Sequence, residues 1–148
     1  MPDILHKVAI KATPAQAYAA LATIDGLSTW WTTDTSGSSA VGGEIGFRFG
    51  EHGFNGVKVI ELEPEQRVLW EVIEGPESWL GTRIGFDLSQ DGDDVAVLFK
   101  HSGWREQNEF MHTCTTKWAM FLMSLKAALE TGIGAPYPND VHITHRGY

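Results

Sequence analysis

His101 follows Val97 and Phe99 at even spacing, so in an extended segment all three side chains share one face. On an apolar face its imidazole can hydrogen-bond a ligand hydroxyl or carbonyl, or serve as a general base. It can equally be a core histidine satisfied by a backbone carbonyl, and the spacing leaves both readings open. Cys114 is the only cysteine, which excludes an intrachain disulfide and a cysteine-based metal knuckle. It falls on an apolar helical stripe, where a thiol is expected to be buried and inert. His112 and Cys114, two apart on a helix, face different ways. With no His-Glu-x-x-His run and no carboxylate cluster, no metal and no other cofactor is expected. The glycines at 42, 43, 46, 50, 53 and 56 precede no helix start, so they form no phosphate loop.

The aromatic residues carry a stronger pattern. Phe47, Phe49, Trp70, Phe86 and Phe99 all fall in alternating runs that can turn one face inward, and Trp118 and Leu122 repeat at helical spacing. Together they are expected to line a chamber for a flat apolar or aromatic molecule, whose rings would stack offset against theirs. The face of Trp70 is open, because a bulge would reverse it. His101 is the expected polar anchor. Trp30, Trp31 and the small-residue loop 35–43 are the expected entrance, since small residues permit opening and tryptophans can close it. Glu51, His52, Glu109 and His112 fall near one mouth of that chamber, where each is more simply read as a solvated surface residue.

These side chains need elements to hold them. Segment 4–11 reads as a strand, with Val8 and Ile10 on one face. Thr13 before Pro14 is a cap followed by the residue suited to the first helical position, and a helix over 14–22 follows. Asp25 is expected to cap a second short helix running through Trp30 and Trp31. After the loop the period switches to two, with strands expected over 45–49, 57–63, 67–73, 82–88 and 95–101. Pro64-Glu65, Gly75-Pro76 and Asp91-Gly92 supply the turns, the last as a two-residue hairpin. From 107 to 131 the period returns to 3.6, with Met111, Cys114, Trp118, Leu122, Leu125 and Leu129 in one stripe and Gly132 ending it. The outer side of this helix carries Thr113, Thr116, Met120, Met123 and Ala127, with few charges. Either the tail around Tyr137 covers that side or a second copy does, and a homodimer through Met120 and Met123 is expected.

Composition narrows the partners. The chain has 148 residues and reads as one domain over 1–134 with a tail over 135–148. Eleven lysines and arginines against nineteen acids give a net charge of −8, which repels nucleic acid and anionic membrane surfaces. No run approaches the length of a membrane span, and the start carries no basic-then-apolar leader. With one cysteine and no leader, the expected compartment is a reducing cytoplasm.

The order of elements is α+β: a curved antiparallel sheet wrapped around a long C-terminal helix, with two short helices after the first strand. The residues that fix it further are Trp30-Trp31, the run Gly42-Gly43-Glu44-Ile45-Gly46-Phe47, and Gly56-Val57-Lys58-Val59-Ile60-Glu61-Leu62-Glu63-Pro64 followed by Val68-Leu69-Trp70. Gly81-Thr82-Arg83 and Lys117 to Leu125 complete the set. In these runs the chain resembles the helix-grip domains of the START and birch-pollen-allergen (SRPBCC) superfamily. Within it the chain is similar to the bacterial group resembling the C-terminal domain of the activator of the heat-shock-protein-90 ATPase. The resemblance implies a hydrophobic cavity under the long helix and a small hydrophobic molecule as partner. It also implies two alternatives: a cyclase or hydrolase using the same cavity with His101 as base, and a module acting on a chaperone ATPase in a stress response.

Overall fold

The computed structural model describes residues 1–145. Its elements are β1 (Ile4–Ile10), α1 (Pro14–Ala22), α2 (Ile24–Ser28), β2 (Asp34–Gly37), β3 (Glu44–Arg48), β4 (Phe54–Glu63), β5 (Arg67–Glu74), a 3-10 turn (Glu77–Trp79), β6 (Arg83–Asp91), β7 (Asp94–Ser102) and α3 (Glu109–Thr131). The strands form one seven-stranded sheet in the order β1-β7-β6-β5-β4-β3-β2, antiparallel throughout. This is the expected helix-grip arrangement.

Local chemistry sets the helix ends. Thr13 and Gln16 exchange side-chain and backbone bonds in a capping box, with Pro14 in the first turn of α1. The second helix is capped by Thr23, whose Oγ1 accepts from the Gly26 amide, and not by Asp25. It ends at Ser28, so Trp30 and Trp31 follow the helix instead of closing it. Asn108 caps α3, and Gly132 ends it at a left-handed φ of 84°. Its 23 residues extend about 34 Å, enough to cross the sheet. The helix runs alongside β1: His6 Nε2 lies 3.1 Å from Thr115, and Lys126 Nζ donates to the Ala9 carbonyl.

Two details depart from the sequence reading. Residues 35–37, expected as part of loop 35–43, pair with β3 in the edge strand Asp34–Gly37. Asp-Thr-Ser-Gly has only Thr35 as a strand-forming side chain and lies mostly exposed at the sheet edge, where polar residues resist pairing with other chains. The β6–β7 hairpin turns on Gly92 and Asp93, since Asp91 already pairs with Asp94. Trp70 faces inward. The irregularities near it fall between Gly56/Val57 and Val59/Glu61, and Trp70 still pairs with buried Val59 and Ile84.

The space between sheet and α3 is largely filled by aromatic rings. Trp31 is 2% exposed, with its ring centroid 4.1 Å from Phe47 and 4.9 Å from Trp118. Trp70, Phe86, Phe99 and Trp118 continue the stack at centroid separations of 5.3, 5.3 and 4.5 Å. Beyond α3 the chain doubles back. The Ala135 amide donates to Ser124 Oγ, the Tyr137 amide to the Trp31 carbonyl, and the Thr33 amide to the Tyr137 carbonyl. The tail therefore covers the Lys117–Phe121–Ser124 side of α3, and leaves Thr116 and Met123 exposed.

Candidate functional site

The core does not fill the whole enclosure. A cavity of about 680 Å³ remains at the end of the sheet where the β3–β4 and β5–β6 connections lie. One wall is the first half of α3, through Phe110, Thr113, Cys114, Lys117, Trp118 and Phe121. The opposite wall is Phe49, His52, Asn55, Gly75, Pro76 and Trp79. Trp31 forms the inner end, and the tail supplies Tyr137 and Asp140. This volume is within the range of ordinary small-molecule sites, roughly 300–1,000 Å³.

Of the residues expected to line a chamber, Phe49 and Trp118 border the cavity, and so does Trp31, which was expected at its entrance. Trp30, Phe47, Trp70, Phe86, Phe99 and Leu122 lie in the packed core away from the cavity, each at most 2% exposed. Alternation gave the inward direction of Phe47, Trp70, Phe86 and Phe99, and helical spacing that of Leu122, but neither could say that Trp31 would fill the space between them. Of the expected entrance, Trp30 and loop 35–43 do not border the cavity. Trp30 is pinned by its Nε1–H to the Ala20 carbonyl at 2.8 Å.

His101 points inward as its phase requires, but it lies behind the wall formed by Trp79 and Trp118. Trp118 Nε1–H donates to His101 Nδ1 at 3.1 Å, so that nitrogen carries no proton. The Thr82 hydroxyl donates to the Trp79 carbonyl, leaving its oxygen to accept from His101 Nε2–H at 2.8 Å. Both ring nitrogens are thus engaged, and burial lowers the histidine pKa from 6.5 to about 3. As a core histidine it supplies neither a polar anchor nor a base to the cavity. Cys114 does reach the cavity wall. Burial pushes its thiol up to about 12, opposed by the 3.4 Å bond from Trp79 Nε1 to its sulfur, so it is a poor nucleophile.

Apart from His52, the polar groups on the wall include several that the sequence reading passed over. Lys117 Nζ bonds Asp140 Oδ2 and, at 3.1 Å, the Val141 carbonyl, and it sits 5.0 Å from the centre of the Phe121 ring. Asn55 shares the inward phase of Val57, a signal that was available. Tyr137 was read only as a possible cover for α3, and Asp140 had no signal, because the tail has no period. Gly50 takes a φ of 58°, and any Cβ there would collide with the Tyr137 hydroxyl, so the backbone turn makes room for the tail. Glu51, Glu109 and His112 are exposed and off the wall, whereas His52 is on it, 6.0 Å from the Tyr137 ring.

The pattern of the family described as "Activator of Hsp90 ATPase homolog 1-like protein" matches residues 11–130. The chain belongs to that family. A solved structure described as the Aha1 dimer from Colwellia psychrerythraea is 47% identical, with a TM-score of 0.84 over 90% of this chain and all of that one. Protein SSP2350 from Staphylococcus saprophyticus shares the fold at 17% identity and a TM-score of 0.75, over 90% of this chain and 95% of that one. DynU16, described as a protein in the dynemicin biosynthetic locus, shares it at 18% identity and 0.74, over 91% of this chain and 49% of that one. No curated protein matches the sequence. The activator family thus accounts for the α+β helix-grip fold and for the order of its elements.

Proposed function

We propose that this protein binds a small hydrophobic or aromatic molecule in the cavity between α3 and the sheet. The observation that carries the reading is the unfilled volume of about 680 Å³ bordered by the rings of Trp31, Phe49, Trp79, Trp118, Phe121 and Tyr137. Rings held this way present flat faces to a ligand and need little rearrangement to accept one. A reaction with His101 as base has no support, because that ring is engaged behind the wall.

Thr113, on the half-buried side of α3, borders the cavity without belonging to the aromatic stack. In Thr113→Trp the added indole occupies the ligand's space. A hydrophobic molecule that quenches wild-type tryptophan fluorescence should bind the variant at least about tenfold more weakly, with the melting temperature little changed. Equal binding by both proteins rejects this site. Native mass spectrometry of protein from its own host would give the mass of the natural ligand.

Two further parts of the proposal rest on the relatives. The description of the Colwellia protein as a dimer supports self-association of this chain, and the exposure of Met123, beside Met120, supports the outer face of α3 as the contact. The family description supports a second reading, action on a chaperone ATPase. Adding the protein to a purified chaperone of that class should then change its rate of ATP hydrolysis, and an unchanged rate removes the reading. A cytoplasmic location belongs to the same proposal, and the single buried cysteine suits it.

A further inference from the structure

On a wall that is mostly rings, Asn55 places a side-chain amide. It pairs across the sheet with Phe47, whose ring is fully buried, and opposed residues of an antiparallel pair share a face, so the Asn55 side chain points inward. The residue is 9% exposed and borders the cavity. Lys117 and Asp140, also on the wall, bond each other. Among the described residues, the buried side-chain atoms that are closed to solvent and lack a partner are Trp104 Nε1 and Asp140 Oδ1. Neither amide atom of Asn55 is one of these, and no described residue bonds them, so both keep a surface that a small molecule can reach. Gly75 leaves that surface uncovered. It borders the cavity at a φ of 140°, which favours glycine, and a Cβ there would stand 2.8 Å from Asn55 Oδ1.

We propose that the Asn55 amide is the specificity element of the cavity, pairing with a ring edge that carries N–H and C=O side by side, as in an aromatic lactam or imide. This rests on the cavity-binding reading above and deepens it by naming the ligand class. The side-chain NH2 donates to the ligand carbonyl and Oδ1 accepts from the ligand N–H, because a carboxamide presents both groups in one plane. The rings of Trp31, Trp79 and Trp118 take the flat body. A ligand that displaces water from the amide without replacing its hydrogen bonds loses affinity, so a hydrocarbon of the same shape is disfavoured.

The test uses three flat probes: the three-ring lactam phenanthridinone, its N-methyl derivative and the hydrocarbon phenanthrene. Equilibrium dialysis gives the affinity of each for the wild-type protein, for Asn55→Leu, for Asn55→Ala and for Thr113→Trp. Leucine has nearly the shape of asparagine but neither donor nor acceptor, and alanine removes the amide at smaller volume. The hydrocarbon gains more by leaving water, so the quantity read is the ratio of lactam to phenanthrene affinity and its change between proteins. That ratio should fall about 10- to 100-fold in both Asn55 variants. The wild type should bind the N-methyl lactam about tenfold more weakly than the lactam, although the methyl makes it more apolar, whereas Asn55→Leu should bind the two alike. The wild-type comparison decides even where a variant fails to fold. Thr113→Trp should weaken all three probes together. An unchanged ratio in the Asn55 variants overturns the assignment to Asn55, and equal binding of the two lactams by the wild type overturns the N–H pairing. Either result leaves the cavity reading standing. If no probe binds the wild type, the cavity reading falls and this proposal falls with it.

Discussion

His101 illustrates how a single residue can be read correctly in direction and differently in role. Its phase with Val97 and Phe99 put it inward, and it is fully buried. Its partners Trp118 and Thr82 come from other elements, so no spacing in the sequence could join them to it. The consequence is measurable. The unfolded chain binds a proton on this ring below about pH 6.5, whereas the folded chain, with its pKa near 3, resists it. Between those values the unfolded state holds more protons, and stability falls as the pH is lowered, by about 1.4 kcal/mol per unit from this group. Above that window the ring is neutral in both states and adds no slope. His101→Gln keeps a donor and an acceptor but cannot titrate. Its unfolding free energy in urea should therefore depend less on pH between roughly 6 and 4 than that of the wild type, by about that amount per unit. Identical slopes would mean that the ring is accessible to protons in the native state.

At the scale of elements, the pieces with a period were legible and those without one were not. The boundaries of α1, the strand alternation and the apolar stripe of α3 follow from local chemistry, so they could be read directly. The edge strand β2 forms because β3 is available to pair with, and its residues carry no pattern of their own. The tail is the larger case, since its position depends on a hydroxyl of α3. Ser124 Oγ donates to the Trp30 carbonyl and accepts from the Ala135 amide, both at 2.8 Å, joining three segments in a buried position. Ser124→Ala leaves both backbone groups without that partner and should cost about 1–3 kcal/mol. Amide exchange at residues 135–137 should rise more than exchange in the central strands, because the tail is released first. Since the tail supplies Tyr137 and Asp140 to the cavity wall, ligand affinity should fall with it. Unchanged exchange in the tail would mean that other contacts hold it in place.

For the molecule as a whole, the question is what meets the outer side of α3. The sequence offered the tail or a second copy, and the structure gives the tail one side only. Met123 remains 55% exposed, near Thr116 and half-buried Met120, on the outer side of α3. The proposed pairing through this surface predicts that Met123→Lys, which adds a charge to each copy at the contact, shifts a dimer to monomer in sedimentation. The melting temperature of the isolated fold should change little, because this side chain has no role in the core. A dimer that persists in Met123→Lys would move the interface to another surface.

Apart from the edge strand β2, the order of strands and helices, the inward direction of Phe47, Phe49, Trp70, Phe86, Phe99 and Trp118, and membership of a helix-grip architecture were determined by the sequence alone. Period, caps and turns act over a few residues, and each residue's neighbours in the chain are enough to express them. Which of those inward rings would pack solid and which would border open space was decided only by the tertiary structure. That outcome depends on where Trp31 comes to rest and how far the tail folds back. Both are fixed by contacts between residues far apart in the chain, such as Tyr137 with Trp31 and Asp140 with Lys117.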